Sequence, residues 1–389
     1  MASQPGYGPA TTPAEVDAFT RFAAESFAVS VEEERRHIDA NGPQHLRLLR
    51  DGGAVVAGLA LLTELGQWYG GRRVPAVGIA GVATDPRIRG RGAGTLLLRA
   101  AVRELHAGGV PLAILYPATQ PLYRRAGFEQ AGGRWEIRAP AASLDLRDRT
   151  LPLRRVEPGD AEELAALHRA CAAVRAGGLD RNRLLWGRVL GGDGIGTAVL
   201  GPGGIEGYVV ACQQRSGDAV EMRLHDLVAS TPAAATRLLT FLADHRHQVR
   251  EVVWHGGGSD PLLTLVREQE AQVRLQQAWM LRIVDVPAAL ASRGWPAAAA
   301  GELHLEIFDE VVAENRGRFL LEVGGGTGRV RPGGEGRLKV HVRGLAPLYT
   351  GWLGPDALAL TGLLEGPEAD RRLAASLFAG PAPAMSDFF

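Results

Sequence analysis

The sequence is poor in cysteine and in lysine, and it has no long hydrophobic run. Cys171 and Cys212 are the only cysteines in 389 residues, and no Cys-x-x-Cys pair occurs, which excludes a disulfide scaffold and a zinc knuckle. We predict that both cysteines are buried, small apolar residues. Histidines at the spacing of a zinc-binding helix, His-x-x-x-His, are absent as well, so no metal site is predicted.

Targeting segments are also missing from the sequence. No window approaches the roughly 18 apolar residues of a membrane-spanning helix. The N-terminal stretch "MASQPGYGPATTPAEVDAF" lacks a basic region followed by an apolar run, so no secretory signal is predicted. We therefore expect a cytoplasmic protein, although export by a route that needs no signal peptide stays open.

The chain has no excess of positive or of negative charge. Lys+Arg and Asp+Glu both number 43, so the formal net charge is zero. This balance excludes a chain-wide footprint for nucleic acid or for a membrane surface. Hydrophobic residues make up 46% and charged residues 22% of the chain, as in globular proteins. The length favours two or three domains.

The most distinctive segment is "RIRGRGAGTLLL", residues 87–98. It follows an apolar run typical of a strand and leads into a helical pattern, so the glycines lie where a strand turns into a helix. The first N–H groups of a helix lack partners within it, and glycine lets them approach an anion closely. The spacing Gly90, Gly92, Gly94 matches neither a Walker A loop nor the dinucleotide motif. A pyrophosphate ligand is favoured; the alternative is a tight turn with solvated arginines.

The chain repeats its order of elements. "VGIAGVATDP", "GTLLLRAAVREL" and "PLAILYP" correspond to "RLHDLVASTP", "ATRLLTFLADH" and "REVVWHG" further on. The glycine segment has no copy, since the second unit has only "STPAAA" at that place. We therefore predict two similar folds with one anion site, in the first. A third unit begins near Gly301.

Two motifs resemble the GCN5-related N-acetyltransferases (GNAT). The segment "VATDPRIRGRGAGTLLL" is similar to their acyl-CoA motif Arg-x-x-Gly-x-Gly, at Arg89, Gly92 and Gly94, and "PLYRRAGFEQ" is similar to their second signature. The three-part architecture resembles the Eis (enhanced intracellular survival) family. The resemblance implies an α/β (α+β) fold class: a catalytic GNAT domain at 1–145, a degenerate GNAT domain at 146–295 and a sterol carrier protein-like domain at 296–389. Each GNAT fold has a mixed sheet flanked by helices.

The resemblance implies an N-acetyltransferase that uses acetyl-CoA as co-substrate and no metal. The pyrophosphate of CoA is expected on the loop, and the pantetheine arm is expected beside the preceding strand. The residues assigned to acetyl-CoA are Val82, Ala83, Thr84, Arg89, Gly90, Arg91, Gly92, Ala93, Gly94, Thr95, Ala118 and Thr119.

Direct transfer to an amine needs a polarised carbonyl and a proton for the leaving thiolate. A backbone N–H near Val82 is a candidate for the oxyanion, and Tyr123 is the candidate general acid. The alternative for Tyr123 is an aromatic that only packs. The resemblance assigns the C-terminal carboxylate of Phe389 as the base. A free C-terminal carboxyl has a pKa of about 3.3–3.7, which burial raises; the alternative is a frayed tail.

The resemblance implies amines of aminoglycoside antibiotics as substrates, modified at several positions, and a homohexamer. Glu25 and Asp387 are candidates for attracting the cation, with Phe27 and Trp68 as walls; the alternative for the acidic residues is a solvated face. Protein lysines or polyamines are the alternative substrates. A lipid-binding or scaffold protein is the alternative of another class. No nucleic-acid partner and no membrane span are predicted.

Overall fold

The computed structural model describes residues 6–217 and 219–389. Contacts divide the chain into two compact units. The first contains the described residues up to Ala131, Trp279–Gly380 and Phe389, and the second contains Gly132–Ala278 and Pro381–Phe388. The prediction that the chain has no secretory signal rests partly on residues 1–5, which lie outside the described residues.

The described part of the chain before residue 132 forms the elements of the first predicted domain. Thr12 and Ser30 begin its first two helices, since each side-chain oxygen accepts a hydrogen bond from the backbone N–H three residues later. A hairpin turn lies at Gly52-Gly53, and both glycines have positive φ. The elements are β1 (Gly6–Pro9), α1 (Pro13–Phe27), α2 (Val31–Asn41), β2 (Leu46–Asp51), β3 (Ala54–Tyr69), β4 (Arg72–Thr84), α3 (Ala93–Ala107), β5 (Leu112–Leu115) and α4 (Gln120–Arg124).

The middle of the chain supplies the second unit, and its first and last strands cross the boundaries of that unit. The elements are β6 (Glu129–Pro140), β7 (Leu153–Arg155), α5 (Ala161–Ala173), β8 (Gly178–Asp180), α6 (Arg183–Leu190), β9 (Ile195–Gly201), β10 (Gly204–Ser216), β11 (Ala219–Ala229), α7 (Pro232–Ala243), β12 (Val249–Gly256) and β13 (Gln272–Ile283). Within the second unit the sheet order is β6-β12-β11-β10-β9-β7.

The last part of the chain forms a sheet of its own in the first unit, in the order β16-β15-β14-β17-β18. β15 and β16 form a hairpin, because they pair across Gly325-Gly326. The elements are α8 (Val286–Ser292), β14 (Gly301–Phe308), β15 (Gly317–Gly324), β16 (Thr327–Pro332), β17 (Leu338–His341), α9 (Val342–Thr350), α10 (Pro355–Leu360), β18 (Leu364–Glu365) and α11 (Glu368–Leu377).

The other sheet of the first unit has the order β1-β2-β3-β4-β5, with the end of β13 antiparallel to β5. Its neighbours are antiparallel except β4 and β5, which are parallel and joined through α3. The second unit repeats this arrangement, since β11 and β12 are parallel and joined through α7. The predicted internal repeat is therefore confirmed.

One apolar core holds α3 against the sheet of the first unit. Leu97, Leu98, Ala101 and Val102 are fully buried, and they belong to a cluster with strand residues of β3, β4 and β5. This packing fixes the start of α3 beside the end of β4. Among the described residues no helix has both the length and the apolar character needed to cross a bilayer.

Candidate active site

The glycine segment forms the start of α3, as predicted. Gly90 and Gly92 have φ of +83° and +86°, in the left-handed region that is costly for other residues. Gly92 is the N-cap of α3, and no side chain caps the helix. The first N–H groups of the helix therefore lack a protein side chain as acceptor, and the positive end of the helix dipole is available to an anion.

Gly94 serves a different purpose from the two glycines before it. A β-carbon at this position would lie 3.3 Å from Thr84 Oγ1 and 3.3 Å from Leu122 Cδ1. Glycine therefore lets the first turn of α3 approach the end of β4 and the helix α4 closely.

The three arginines of the segment have different partners. Arg87 donates two hydrogen bonds from its side chain to Asp85, at 2.9 and 2.6 Å, and these bonds lower the pKa of the Asp85 carboxyl. Arg89 donates one hydrogen bond to Ser26 Oγ at 2.8 Å, and Arg91 is exposed. Most of the positive charge beside the helix start therefore comes from Arg89 and Arg91.

A slot opens between β4 and β5. Their parallel pairing covers Ala76 to Gly78 on β4 and ends at Gly78 opposite Ile114, whereas β4 continues to Thr84. A β-bulge lies in this continuation, because β4 advances from Ala80 to Ala83 while β3 advances only from Ala60 to Gly58. The bulge changes the direction of β4, and the backbone groups of β4 beyond Gly78 are not paired with β5.

The bulge contains Gly81, whose φ is +58°, and Val82 follows it. Val82, Ala83 and Thr84 therefore lie on the stretch of β4 that leads from the slot to the glycine segment. This bulge was not predicted from the sequence. The signal was present, since a glycine within an apolar strand pattern often marks one.

Tyr123 lies in the short helix α4, which follows Ala118 and Thr119. Its side chain is buried, and its ring meets that of Phe128 edge to face, with centroids 6.3 Å apart. Burial raises the pKa of the Tyr123 hydroxyl to about 12, and a backbone hydrogen bond with Ala118 opposes the rise in part. The phenol therefore keeps its proton at neutral pH.

The glycine of the second signature has a packing role. Gly127 has a φ of +85°, and a β-carbon there would lie 2.9 Å from Cζ of Arg282. Arg282 is fully buried and paired with Asp309. The turn between α4 and β6 therefore covers a buried ion pair.

The C-terminal residue belongs to the first unit. The ring of Phe389 meets that of Tyr116 edge to face, with centroids 5.8 Å apart. A β-carbon on Gly78 would lie 2.9 Å from Cε2 of Phe389. The Phe389 side chain thus packs where β4 and β5 part, beside residues at the end of each pairing.

Two of the predicted substrate residues lie at the end of α1. Glu25 and Phe27 are exposed. Asp85 raises the pKa of the Arg87 guanidinium most, and the charge of Glu25 adds to the rise. The hydrogen bond from Arg89 to Ser26 joins the same helix end to the glycine segment. Trp68 lies on β3, and its buried indole N–H has no hydrogen-bond partner among the described residues.

Asp387 lies in the second unit, in an ion-pair network. Arg181 Nε donates to Asp387 Oδ1 at 2.6 Å, and the same guanidinium pairs with Asp226. Burial raises the pKa of the Asp226 carboxyl, but the charge of Arg181 outweighs burial and holds the pKa well below its usual range. The side chains of Arg181, Asp226 and Asp387 are all buried. This pairing competes with the predicted attraction of Asp387 for a substrate cation.

The tail that ends in Phe388 is held by its backbone as well. Met385 N–H donates to the carbonyl of Gly133, and Gly133 N–H donates to the carbonyl of Pro383. Arg134 Nε donates to the carbonyl of Ser386 at 2.9 Å. Within the second unit the tail is therefore a packed segment. Arg181 and Arg134 were not predicted from the sequence, because neither lies in a motif or near the tail in the sequence.

The corresponding helix of the second unit begins differently. Thr231 caps α7, since its Oγ1 accepts a hydrogen bond from Ala234 N–H at 3.1 Å. The hydroxyl of Thr231 also donates to Glu206 Oε2 at 2.8 Å. A side chain thus occupies the first turn of α7, and a carboxylate lies beside it. Both features disfavour a bound anion.

Three family models match the chain. Models described as "Acetyltransferase (GNAT) domain" match residues 9–131 and residues 177–283. A model described as "Sterol carrier protein domain" matches residues 286–386. The predicted composition, two GNAT domains followed by a sterol carrier protein-like domain, is confirmed.

Relatives match the chain over most of its length. N-acetyltransferase Eis of Mycobacterium tuberculosis is 31% identical over 375 residues, which span 88% of each chain. The solved GCN5-related N-acetyltransferase of Anabaena variabilis is 34% identical with a TM-score of 0.95, and the match covers 99% of this chain and 100% of that one. A GCN5-related N-acetyltransferase of Kribbella flavida is 32% identical with a TM-score of 0.88, covering 99% and 98%.

The Gly92→Ala substitution tests whether the helix start binds an anion. Alanine costs about 1–2 kcal/mol in the left-handed conformation, and relief of that strain would redirect the N–H groups. We expect the Kd for CoA to rise about tenfold, measured by calorimetry, since 1.4 kcal/mol is tenfold in affinity.

Gly108→Ala is the matched control, because Gly108 ends the same helix at a φ of −82° and has only ordinary contacts at 3.5 Å. Its Kd for CoA should stay unchanged. Equal affinities of the two variants for CoA would show that the helix start is not part of the CoA-binding site.

Proposed function

The chain belongs to the Eis family of GCN5-related N-acetyltransferases, and on that premise we propose that it acetylates amines of aminoglycoside antibiotics at several positions. The reaction is direct transfer from acetyl-CoA within a ternary complex. The observation that carries the proposal is the uncapped start of α3 beside the slot between β4 and β5. The GNAT fold implies acetyl-CoA as the co-substrate.

The residues of the first unit suit acetyl-CoA in two ways. The N–H groups at the start of α3 have no side-chain acceptor, and Arg89 and Arg91 add positive charge, which fits a pyrophosphate. The unpaired edge of β4 from Val82 to Thr84 fits the amide-bearing pantetheine arm. Together with Ala118 and Thr119, which lie between β5 and α4, these are the residues to which we assign acetyl-CoA.

The transfer requires one bond to form and one to break. The neutral amine nitrogen attacks the thioester carbonyl carbon, the C–S bond breaks, and CoA leaves as a thiolate that needs a proton. Holding both reactants together supplies much of the rate. A backbone N–H at the bulge near Val82 stabilises the developing oxyanion. Tyr123 gives its proton to the thiolate, and its raised pKa keeps it protonated until then.

The amine must also lose a proton, and we assign this step to the carboxylate of Phe389, directly or through a water molecule. The support is the packing of the Phe389 ring against Tyr116 and Gly78, at the point where the strands part. The packed tail before it also supports an ordered C-terminus. A base close to the slot would take the proton as the C–N bond forms.

Acidic and aromatic side chains suit a cationic amine. Glu25 and Phe27 are exposed at the end of α1, next to the glycine segment. Trp68, on β3, remains with Phe27 a proposed wall of the substrate site. Asp387 remains a proposed substrate residue. A substrate cation would have to compete with Arg181 for its carboxylate. The homohexamer is a further part of the proposal, supported by the family resemblance alone. The cytoplasmic location expected from the sequence stays a prediction.

The test of the proposal is a screen of amines with acetyl-CoA and a thiol reagent that reports CoA, followed by mass spectrometry of the acceptor. We expect CoA release with aminoglycosides and a mass increase of more than one acetyl group. Lys339 is the only lysine of the chain, so acetylation of the enzyme itself adds little background.

Other outcomes of the screen identify the alternatives. Turnover with a lysine peptide or a polyamine but with no aminoglycoside would contradict the proposed substrate and leave the N-acetyltransferase intact. No turnover with any amine would favour the lipid-binding or scaffold function.

Tyr123→Phe tests the general acid. Loss of one positioned acid costs about 10²–10⁴-fold in rate, so kcat should fall about 100-fold or more while the Kd for acetyl-CoA is unchanged. Because the pKa of Tyr123 is about 12, its ionisation should not lower kcat of the unmodified enzyme as the pH rises from neutrality towards 10.

Tyr349→Phe is the matched control, since it removes another buried tyrosine hydroxyl, one that donates to the carbonyl of Ala289. It should leave kcat unchanged. A Tyr123→Phe enzyme with full kcat would exclude Tyr123 as the acid.

Extension of the chain by two glycines after Phe389 tests the base, because it moves the carboxylate without changing any side chain. We expect kcat to fall, with acetyl-CoA binding retained. The same two residues added before Met1 are the control. If both extended chains have full activity, the terminal carboxylate is not the base.

A further inference from the structure

A second kind of site lies in the second unit, where three side chains from distant parts of the sequence meet. Asp193 precedes β9, Cys212 lies on β10 and His225 on β11. One ligand atom from each lies within 4.8 Å of the other two. His225 Nε2 is 3.1 Å from Asp193 Oδ1. No metal motif is recognisable in the sequence, because the three residues share no short spacing.

The strand geometry directs His225 to this place. On β10 and β11, Val210 faces Asp226 and Ala211 faces Leu224, so His225 is the extra residue of a β-bulge. A bulge turns a side chain away from the regular alternation of the strand.

The loop before β9 makes room for the imidazole. A β-carbon on Gly194 would lie 2.7 Å from His225 Cδ2. Only glycine therefore lets Asp193 and His225 lie side by side as they do.

The three donors form a mixed set of sulfur, nitrogen and oxygen. Thiolate, imidazole and carboxylate are the ligands that Zn²⁺ takes, and three of them with one open position make a complete tetrahedral site with water. Bond lengths of about 2.0–2.3 Å separate tetrahedral ligands by about 3.3–3.8 Å. The side chains would thus close by about 1 Å on binding.

Access and charge also permit an ion. Asp193 and His225 are exposed and Cys212 is half-buried, so the prediction that the two cysteines are buried was wrong. Burial raises the pKa of the Cys212 thiol, with Asp193 adding to the rise and Arg223 opposing it. A metal ion would displace the thiol proton, so binding releases it.

We propose that Asp193, Cys212 and His225 bind a thiophilic divalent cation, with Zn²⁺ as the natural candidate. The site is independent of the acetyl-CoA site and of the proposed function. By joining the loop before β9 to the β10–β11 hairpin, a bound ion ties together three segments of the second unit.

Cobalt(II) is the probe for the thiolate ligand. The full-length protein, freed of metal with a chelator, is titrated with Co²⁺ and followed by absorbance. We expect a sulfur-to-cobalt charge-transfer band that is absent in Cys212→Ser and weakened in Asp193→Asn and His225→Gln. Cys171→Ser is the matched control, because Cys171 is the other half-buried cysteine, and its band should match that of the unmodified protein.

Alkylation gives a second readout that needs no variant. Zn²⁺ should slow the alkylation of Cys212 at least tenfold and leave that of Cys171 unchanged, as measured by mass spectrometry of the two peptides. The proposal is overturned if the unmodified protein shows no charge-transfer band, if the band survives in Cys212→Ser, if half-saturation needs millimolar metal, or if Zn²⁺ protects both cysteines equally.

Discussion

The start of α3 is the constraint on which the proposed binding of acetyl-CoA depends. Every α-helix leaves its first N–H groups without partners in the helix, and most helices satisfy them with a side chain. Here Gly92 occupies the N-cap in a left-handed conformation and supplies no side chain. The buried face of α3 fixes the position of that end, and Gly94 lets it lie against the end of β4. The unsatisfied donors are thereby held in one place, which suits them to an anionic ligand.

The same topology in the second unit shows what the glycine segment adds. There β11, α7 and β12 have the arrangement of β4, α3 and β5, but Thr231 caps the helix and Glu206 lies beside the cap. The unit with this shared strand–helix–strand arrangement therefore has a side chain on its helix start. Function in a shared fold lies in particular sites, and the residues at this helix end are one place where the two units differ.

Local features of the fold were predictable from the sequence because they depend on neighbouring residues. Ser30 with Glu33, the turn at Gly52-Gly53 and the helix after Gly92 are examples. The domain composition followed from the resemblance of two motifs and of the order of elements. Features that join distant residues gave no such signal. Arg181 and Asp387 are 206 positions apart, and the fully buried pair of Arg282 and Asp309 belongs to no motif.

The β-bulges lie between these two cases. Gly81 within an apolar strand is a recognisable signal for the bulge in β4. The bulge at His225 has no such signal, because its register is set by the pairing of β10 with β11. For residues that are far apart in the sequence, the register of the paired strands decides which side chains meet.

The stoichiometry of acetyl-CoA binding tests the central claim most directly, since it asks how many of the two similar folds bind the co-substrate. Isothermal titration calorimetry of the full-length chain should give one acetyl-CoA per chain. It should also give one per chain after Thr231→Ala, which removes the cap of α7 without creating the glycine segment. Two molecules per chain, or a site that persists undiminished when the start of α3 is altered, would contradict the account.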